Sequence, residues 1–219
     1  MNLFEIIGPV MIGPSSSHTA GAVRIGLVGR KLLGEEVLRA RIELHGSFAE
    51  TYRGHGTDRA LVAGLMGMAV DDARIRDALT IARERGMEYA FEPVEFEDAH
   101  PNTAQLTLTG ASGARACVRA SSVGGGAIRV DRIDALAVSF RVSGDTIVVR
   151  HTDRPGAIAR VSGIIAGHRV NIATMQVFRA SEGGDAVMAI EVDGDVPKAL
   201  REALREVEDV SKVAYIEGF

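Results

Sequence analysis

The sequence predicts an α+β protein of two domains. Three observations carry this. β-branched runs alternate with amphipathic helical stretches along the chain. The last seventy or so residues read strand, helix, strand, strand, helix, strand. A Ser143-Gly144-Asp145 break separates that tail from a part whose later strands follow one another as in an antiparallel sheet. With 219 residues, 46% of them apolar, the chain can bury a core in each part.

Residues 18–33 carry a helical apolar period, and residues 37–44 alternate as a half-buried strand. Helices are expected over 57–68 and over 72–85, the latter capped by Asp71 or Asp72. Strands are expected over 89–96, 103–109, 115–121 and 128–140, with turns at Gly110-Ala111-Ser112-Gly113 and Val123-Gly124-Gly125-Gly126. Residues 1–143 should therefore form an α/β domain with a mostly antiparallel sheet.

In the tail, residues 146–151 are β-branched and lead into the turn Thr152-Asp153-Arg154-Pro155-Gly156. Ile158, Val161, Ile164 and Ile165 then share a helical face, and Gly167 supplies a stop. A hairpin at Ser181-Glu182-Gly183-Gly184 joins strands 170–178 and 186–192. Pro197 suits a first helical turn before the apolar stripe Leu200, Leu204 and Val207, and residues 210–216 close as a strand. The order over 146–219 is the split βαβ arrangement of ferredoxin-like folds, βαββαβ.

A net charge of -4 and a pI near 5.9 argue against nucleic acid as partner. No run approaches the roughly 20 apolar residues of a membrane span, and the start MNLFEIIG lacks the basic residues of a signal peptide. Cys117 is the single cysteine, which fits a reducing compartment, and a cytoplasmic protein is expected. The same count removes the thiolate set that would hold zinc or an iron–sulfur cluster within this chain. In mid-strand, Cys117 reads as a buried apolar filler.

Three segments could carry chemistry. Gly13-Pro14-Ser15-Ser16-Ser17-His18-Thr19 sets a turn, hydroxyls and an imidazole before an apolar helix. Free amides and serine hydroxyls there suit a carboxylate or phosphate, and His18 can move a proton near neutral pH. The plainer reading is a helix cap with surplus serines. Gly54-His55-Gly56-Thr57-Asp58 lets the backbone approach a ligand, with Thr57 or Asp58 as cap of the following helix, or is simply a glycine-rich turn. In His100-Pro101-Asn102-Thr103, Pro101 keeps His100 extended, so that His100 and Asn102 point the same way and offer donors to a carboxylate. The alternative is a turn into a strand. Asp153-Arg154-Pro155-Gly156 opens a helix with free amides, a place for a small amino acid or a well-made turn.

Residues 146–217 resemble the ACT domain, on the Asp153-Arg154-Pro155-Gly156 turn and Val170-Asn171-Ile172. That resemblance implies amino-acid binding at paired edges, with Asp153, Pro155, Gly156 and Asn171 as effector-binding residues, and a homodimer through the ACT domains. The three N-terminal motifs, in this order, resemble the β portion of iron–sulfur L-serine dehydratases. A similar allosteric-substrate-binding domain occurs in some phosphoglycerate dehydrogenases, whose dinucleotide-binding domain is missing here. The dehydratase family converts L-serine to pyruvate and ammonia, using a four-iron four-sulfur (4Fe-4S) cluster with an open iron. Since the cluster cysteines are absent here, the resemblance implies a β subunit whose cluster sits on a separate α chain, with no metal bound by this chain alone. It implies His18 and His55 as catalytic residues for removal of the serine α-proton. It implies Ser15, Ser16 and Ser17 as holders of the substrate carboxylate, with Thr19, His100 and Asn102 completing the substrate site. It leaves room for a monovalent cation.

Two other classes compete with an enzyme subunit: a serine-binding regulatory module, and an assembly scaffold. Imidazole in each of three motifs favours the enzyme, since a sensor of carboxylate and amine has no need of three proton-active groups. The ACT-like tail and the missing metal ligands favour the sensor.

Overall fold

In the N-terminal part an apolar helix face meets the apolar side of a sheet. The computed structural model of the protein describes residues 10–219, and the chain divides into two units, Met1–Asp134 and Ala135–Phe219. The first unit opens with a π-helical turn, Ser16–Gly21, that runs straight into α1 (Ala22–Leu33). After α1 come β1 (Val37–His45), α2 (Ser47–His55), α3 (Thr57–Leu65), a 3-10 turn (Ala73–Asp77) and α4 (Ala78–Glu84). The remaining strands of this unit are β2 (Glu88–Pro93), β3 (Thr103–Gly110), β4 (Arg115–Gly124) and β5 (Ala127–Ile133).

These strands lie in the order β2-β1-β3-β4-β5, with β1 and β2 parallel and the other pairs antiparallel. Period-two alternation buries Ile42 and Leu44 of β1, Leu106 and Leu108 of β3, and Val118 and Ala120 of β4. Each buried Leu or Ile contributes about 1.5–3 kcal/mol relative to exposure. α1 lies close on this face, since a Cβ at Gly29 would come 2.8 Å from Leu106 Cδ1.

Several elements depart from the sequence expectation. The helix expected over 57–68 ends at Leu65, and Gly67 turns the chain with φ +85°. The stretch 72–85 is a 3-10 turn followed by α4, and Asp72 is the cap, its Oδ1 accepting the Arg74 N–H at 2.9 Å. The strand expected over 128–140 is two strands. Asp134 interrupts it at φ +51°: its N–H donates to the Cys117 carbonyl and its Oδ1 accepts the Cys117 N–H. Helix α2 carries too short and too polar an apolar period to be read from the sequence.

The second unit holds β6 (Leu136–Arg141), β7 (Thr146–Thr152), α5 (Ala157–Gly167), β8 (Asn171–Arg179), β9 (Asp185–Asp193), α6 (Lys198–Arg205) and β10 (Val210–Ile216). The order β10-β7-β9-β8, antiparallel throughout, is that of a ferredoxin-like βαββαβ sheet. Ile147, Val149, Met188, Ile190 and Val213 from the sheet pack with Val161 and Ile165 of α5 and Leu200 and Leu204 of α6. The buried row of α5 is Ala157, Val161 and Ile165 at i, i+4 spacing, so Ile158 falls beside it and is 49% exposed. The left-handed residue after α5 is Arg169, φ +59°, rather than Gly167. Pro197 sits at the cap position of α6, one residue before the helix.

Candidate functional site

The π turn places His18 between two serines. Ser15 is extended, and its Oγ accepts the His18 N–H at 3.2 Å while lying 3.4 Å from His18 Nδ1. On the other side of the ring, Nε2 lies 3.2 Å from Ser47 Oγ, on the first residue of α2. The next residue, Phe48, is fully buried and meets the imidazole edge-on at 5.2 Å between centroids. His55, at the other end of α2, brings its ring to 4.8 Å. With a hydroxyl at each ring nitrogen, either neutral tautomer finds partners. Burial holds the His18 pKa below the ordinary imidazole value, the neighbouring His55 lowers it further, and a hydrogen bond to the Ser47 backbone works the other way. His18 is therefore neutral at pH 7, the state a general base needs. Ser16 and Ser17 follow in the π turn, both half-buried.

Gly56 makes the second motif work. It ends α2 and begins α3 in the left-handed region at φ +72°, which a residue with a Cβ rarely adopts. Thr57 and Asp58 are buried, and neither caps α3 through its side chain. Asp58 Oδ1 instead accepts the N–H of Arg59 at 2.8 Å. Burial raises the Asp58 pKa, against the hydrogen bond and charge of Arg59 and the charge of Arg53. The hydroxyls of Thr19 and Thr57 are buried with no hydrogen-bond partner among the described residues. Folded proteins leave few buried polar atoms so.

The third motif does not alternate as a strand. His100 Nδ1 accepts the N–H of Asn102 at 3.1 Å, closing a turn ahead of β3 and leaving Nε2 to carry the ring proton of the neutral form. The loop is tied down on both sides. Pro101 O accepts the Phe48 N–H at 3.3 Å, and Gly46, φ +56°, leaves room for Pro101 that a Cβ would take. Thr103 Oγ1 donates to His100 O at 2.6 Å and contacts Ser121 Oγ at 2.7 Å. Ser121 Oγ in turn donates to Asp131, whose other oxygen accepts from Arg129.

The first and third motifs thus converge on Gly46-Ser47-Phe48, a corner that the sequence reading did not single out, and His55 of the second motif joins them through the His18 ring. One signal was available: Ser47-Phe48-Ala49-Glu50 has the Ser-x-x-Glu form of a helix start. In the structure the Ser47 hydroxyl goes to His18 and makes no cap.

Beside this corner lies a cavity of about 330 Å³, lined in part by Thr19, His55, Gly56, Arg53, Arg59 and Arg76. Among the described residues no group of three or more His, Cys, Asp or Glu side chains comes together as a metal site. Cys117 is half-buried, on the face of β4 opposite Ala116 and Val118, and its Sγ accepts from Thr107 Oγ1 at 3.8 Å, so it is no fully buried filler.

In the second unit Asp153 accepts from Arg179 Nη1 at 2.8 Å and from the Gly183 N–H at 3.3 Å, and the Arg179 bond holds its carboxyl below the usual range. Pro155 follows in this turn, and Gly156, φ +85°, caps α5. Asn171 donates to Asp193 at 2.6 Å. Arg179 and Asn171 stand at opposite ends of β8, about 25 Å apart at the rise of an antiparallel strand. One chain therefore does not bring Asp153 and Asn171 to one ligand.

The family model described as serine dehydratase beta chain matches residues 1–132, and the ACT domain model matches residues 146–209. The chain is 40% identical to a protein of Bacillus subtilis (strain 168) named probable L-serine dehydratase, beta chain, over 98% of this chain and 97% of that one. It is 35% identical to the L-serine dehydratase, beta chain, of Peptoniphilus asaccharolyticus, with the same coverage. A D-3-phosphoglycerate dehydrogenase of Bacillus subtilis is 27% identical over 90% of this chain but only 37% of its own length.

Proposed function

The chain belongs to the serine dehydratase beta chain family, and on that premise we propose that it is the beta subunit of a two-chain L-serine dehydratase that forms pyruvate and ammonia. The observation that carries this reading is the corner of α2, where His18, His55 and the His100 loop meet in one place. An alpha subunit is its partner. The regulatory-module reading is less favoured, because the phosphoglycerate dehydrogenase resemblance covers little of that protein's length.

In this mechanism L-serine lies against the π turn, with Ser15, Ser16, Ser17 and Thr19 around its carboxylate and His100 and Asn102 on the side facing the partner. His18 takes the α-proton. On gaining it, both ring nitrogens become donors, and the oxygens of Ser15 and Ser47 can accept from them, so the imidazolium is held at both ends. Its ring lies 4.8 Å from that of His55, whose charge disfavours the imidazolium of His18. The 4Fe-4S cluster implied by the family does not fit this chain, whose single thiol lies on the outer face of β4. We place the cluster on the alpha chain, and a monovalent cation, where one is used, at the assembled site.

No helix among the described residues is long and apolar enough to cross a membrane. We place the protein in the cytoplasm, with no nucleic-acid or membrane partner. The ACT unit would pair with a second copy along β8, an edge strand with Val177 41% exposed, and take an amino-acid effector between copies near Asp153, Pro155, Gly156 and the partner's Asn171 end. Sedimentation at micromolar concentration should show a dimer; a strict monomer removes paired ACT regulation.

The test of the function is reconstitution. The alpha chain, purified anaerobically with and without this chain, is assayed for pyruvate formation from L-serine. Activity is expected only in the pair. Equal activity of the alpha chain alone would remove this chain from the chemistry.

A further inference from the structure

The cavity beside His55 carries more positive charge than L-serine can balance. Arg53 comes from α2, Arg59 from α3 and Arg76 from the 3-10 turn, so three elements of one unit bring guanidiniums to a single space. Among the described residues none of the three makes an ion pair, and no acidic residue lines the cavity. Several other arginines are matched, among them Arg41 with Glu92, Arg74 with Asp72, Arg129 with Asp131 and Arg179 with Asp153. Asp58 feels the charges of Arg59 and Arg53, but it is buried and does not line the cavity, and its hydrogen bond is to the Arg59 backbone. All three arginines are exposed to solvent, and Arg53 also lies over the Tyr52 ring at 5.3 Å, so among the described residues the cavity is lined by more guanidinium than carboxylate. Thr19 adds an independent observation, a lining residue that is 2% exposed and whose buried hydroxyl is unpartnered among the described residues.

L-serine is a zwitterion of net charge zero and brings one carboxylate. A cavity of about 330 Å³ also lies within the range of small-molecule sites, about 300–1,000 Å³. Guanidinium binds carboxylate and phosphate oxygens in the same bidentate fashion.

We propose that the Arg53–Arg59–Arg76 cavity is a binding site for a small dianion, a dicarboxylate or a phosphate monoester, adjoining the site of the serine that is deaminated. The site goes beyond the dehydratase reading and shares only its wall at Thr19 and His55 with it. A dianion seated there lies directly against His55, so its occupancy is coupled to the proton-handling pair.

The test uses the full-length chain without its partner, so that it stands or falls apart from the dehydratase activity. Succinate, inorganic phosphate and L-serine are titrated by calorimetry. At least one of the two dianions is expected to bind, about tenfold or more tighter than L-serine, and to weaken as salt rises. Phosphate binding alone points to a phosphate ester, and succinate binding alone to a dicarboxylate. Arg76→Gln, whose side chain carries no ion pair in the fold, should weaken that binding about tenfold to a hundredfold with an unchanged melting temperature. Arg59→Gln should do the same from a second element. Absence of binding by both dianions, binding indifferent to Arg76→Gln and Arg59→Gln, or L-serine binding as tightly as the dianions would each overturn the proposal.

Discussion

Replacing His18 by Asn is expected to lower the turnover of the reconstituted pair by about 10²–10⁴-fold, the usual contribution of a positioned base. That corresponds to about 3–5 kcal/mol of transition-state stabilisation. The argument rests on how fully His18 is built in. Both ring nitrogens have serine oxygens within 3.4 Å, one ring edge meets Phe48, and His55 stands beside it. The direction of its pKa shift supplies a second reading. A base must be deprotonated to act, so kcat/KM should fall on the acid side through a pKa below the ordinary 6.5. His55→Asn removes a neighbour that lowers this pKa, so the His18 titration, followed by imidazole NMR shifts, should move to higher pH. The sign for stability follows: unfolded His18 binds its proton at a higher pH than folded His18. Its contribution is present above about pH 6.5 and is lost as pH falls through the folded pKa. Turnover of His18→Asn within threefold of the parent would take His18 out of the chemistry. A His18 titration that stays put or moves to lower pH in His55→Asn would take away the electrostatic account of its tuning.

The tail was legible because its periods are clean. Residues 210–216 were expected as a strand and form β10 over that span, and Leu200 and Leu204 face the sheet as their spacing requires. What failed there is side-chain reach: a row spaced by four selects Ala157, Val161 and Ile165, and Ile158 falls beside it. In the first unit, the motifs were legible as loops and their meeting place was not. Helix α2 buries only Phe48 fully, so no apolar stripe announces it. Yet it alone touches His18 from both of its ends and receives the Pro101 loop. His100 and Asn102 show why alternation is a poor guide just ahead of a strand. The imidazole folds back to accept a backbone N–H and thereby fixes a turn. The arginine cavity was invisible for a related reason: Arg53, Arg59 and Arg76 lie on three elements, and only the fold makes neighbours of them.

Gly64→Ala should cost more stability than its one added methyl suggests, because helices α1 and α3 touch there backbone to backbone. A Cβ on Gly64 would lie 2.0 Å from Val23 O and 2.9 Å from Gly26 Cα and Leu27 N. The reciprocal position is as tight, with a Cβ on Gly26 falling 2.4 Å from Leu61 O and 2.8 Å from Leu65 N. No side chain can rotate aside, since these atoms are main chain, so the helices must part. Parting them loosens the contacts of Val23, Ile25, Leu61 and Leu65, all fully buried. Overpacking of this kind costs about 1–3 kcal/mol, a large share of the roughly 5–15 kcal/mol that holds a domain folded. In a chain of this size each kcal/mol moves the melting temperature by about 2–4 °C. Catalysis should weaken as well, because α1 continues from the π turn of His18 and α3 opens with Thr57 and Asp58. Gly163→Ala is the matched control: it lies within α5, and an added Cβ meets nothing within 4 Å. There the substitution should stabilise by about 0.5–1 kcal/mol, through helix propensity and the unfolded chain's lost freedom. Urea unfolding of the two variants should therefore shift in opposite directions. An unchanged midpoint for Gly64→Ala would mean that α1 and α3 do not meet at these glycines.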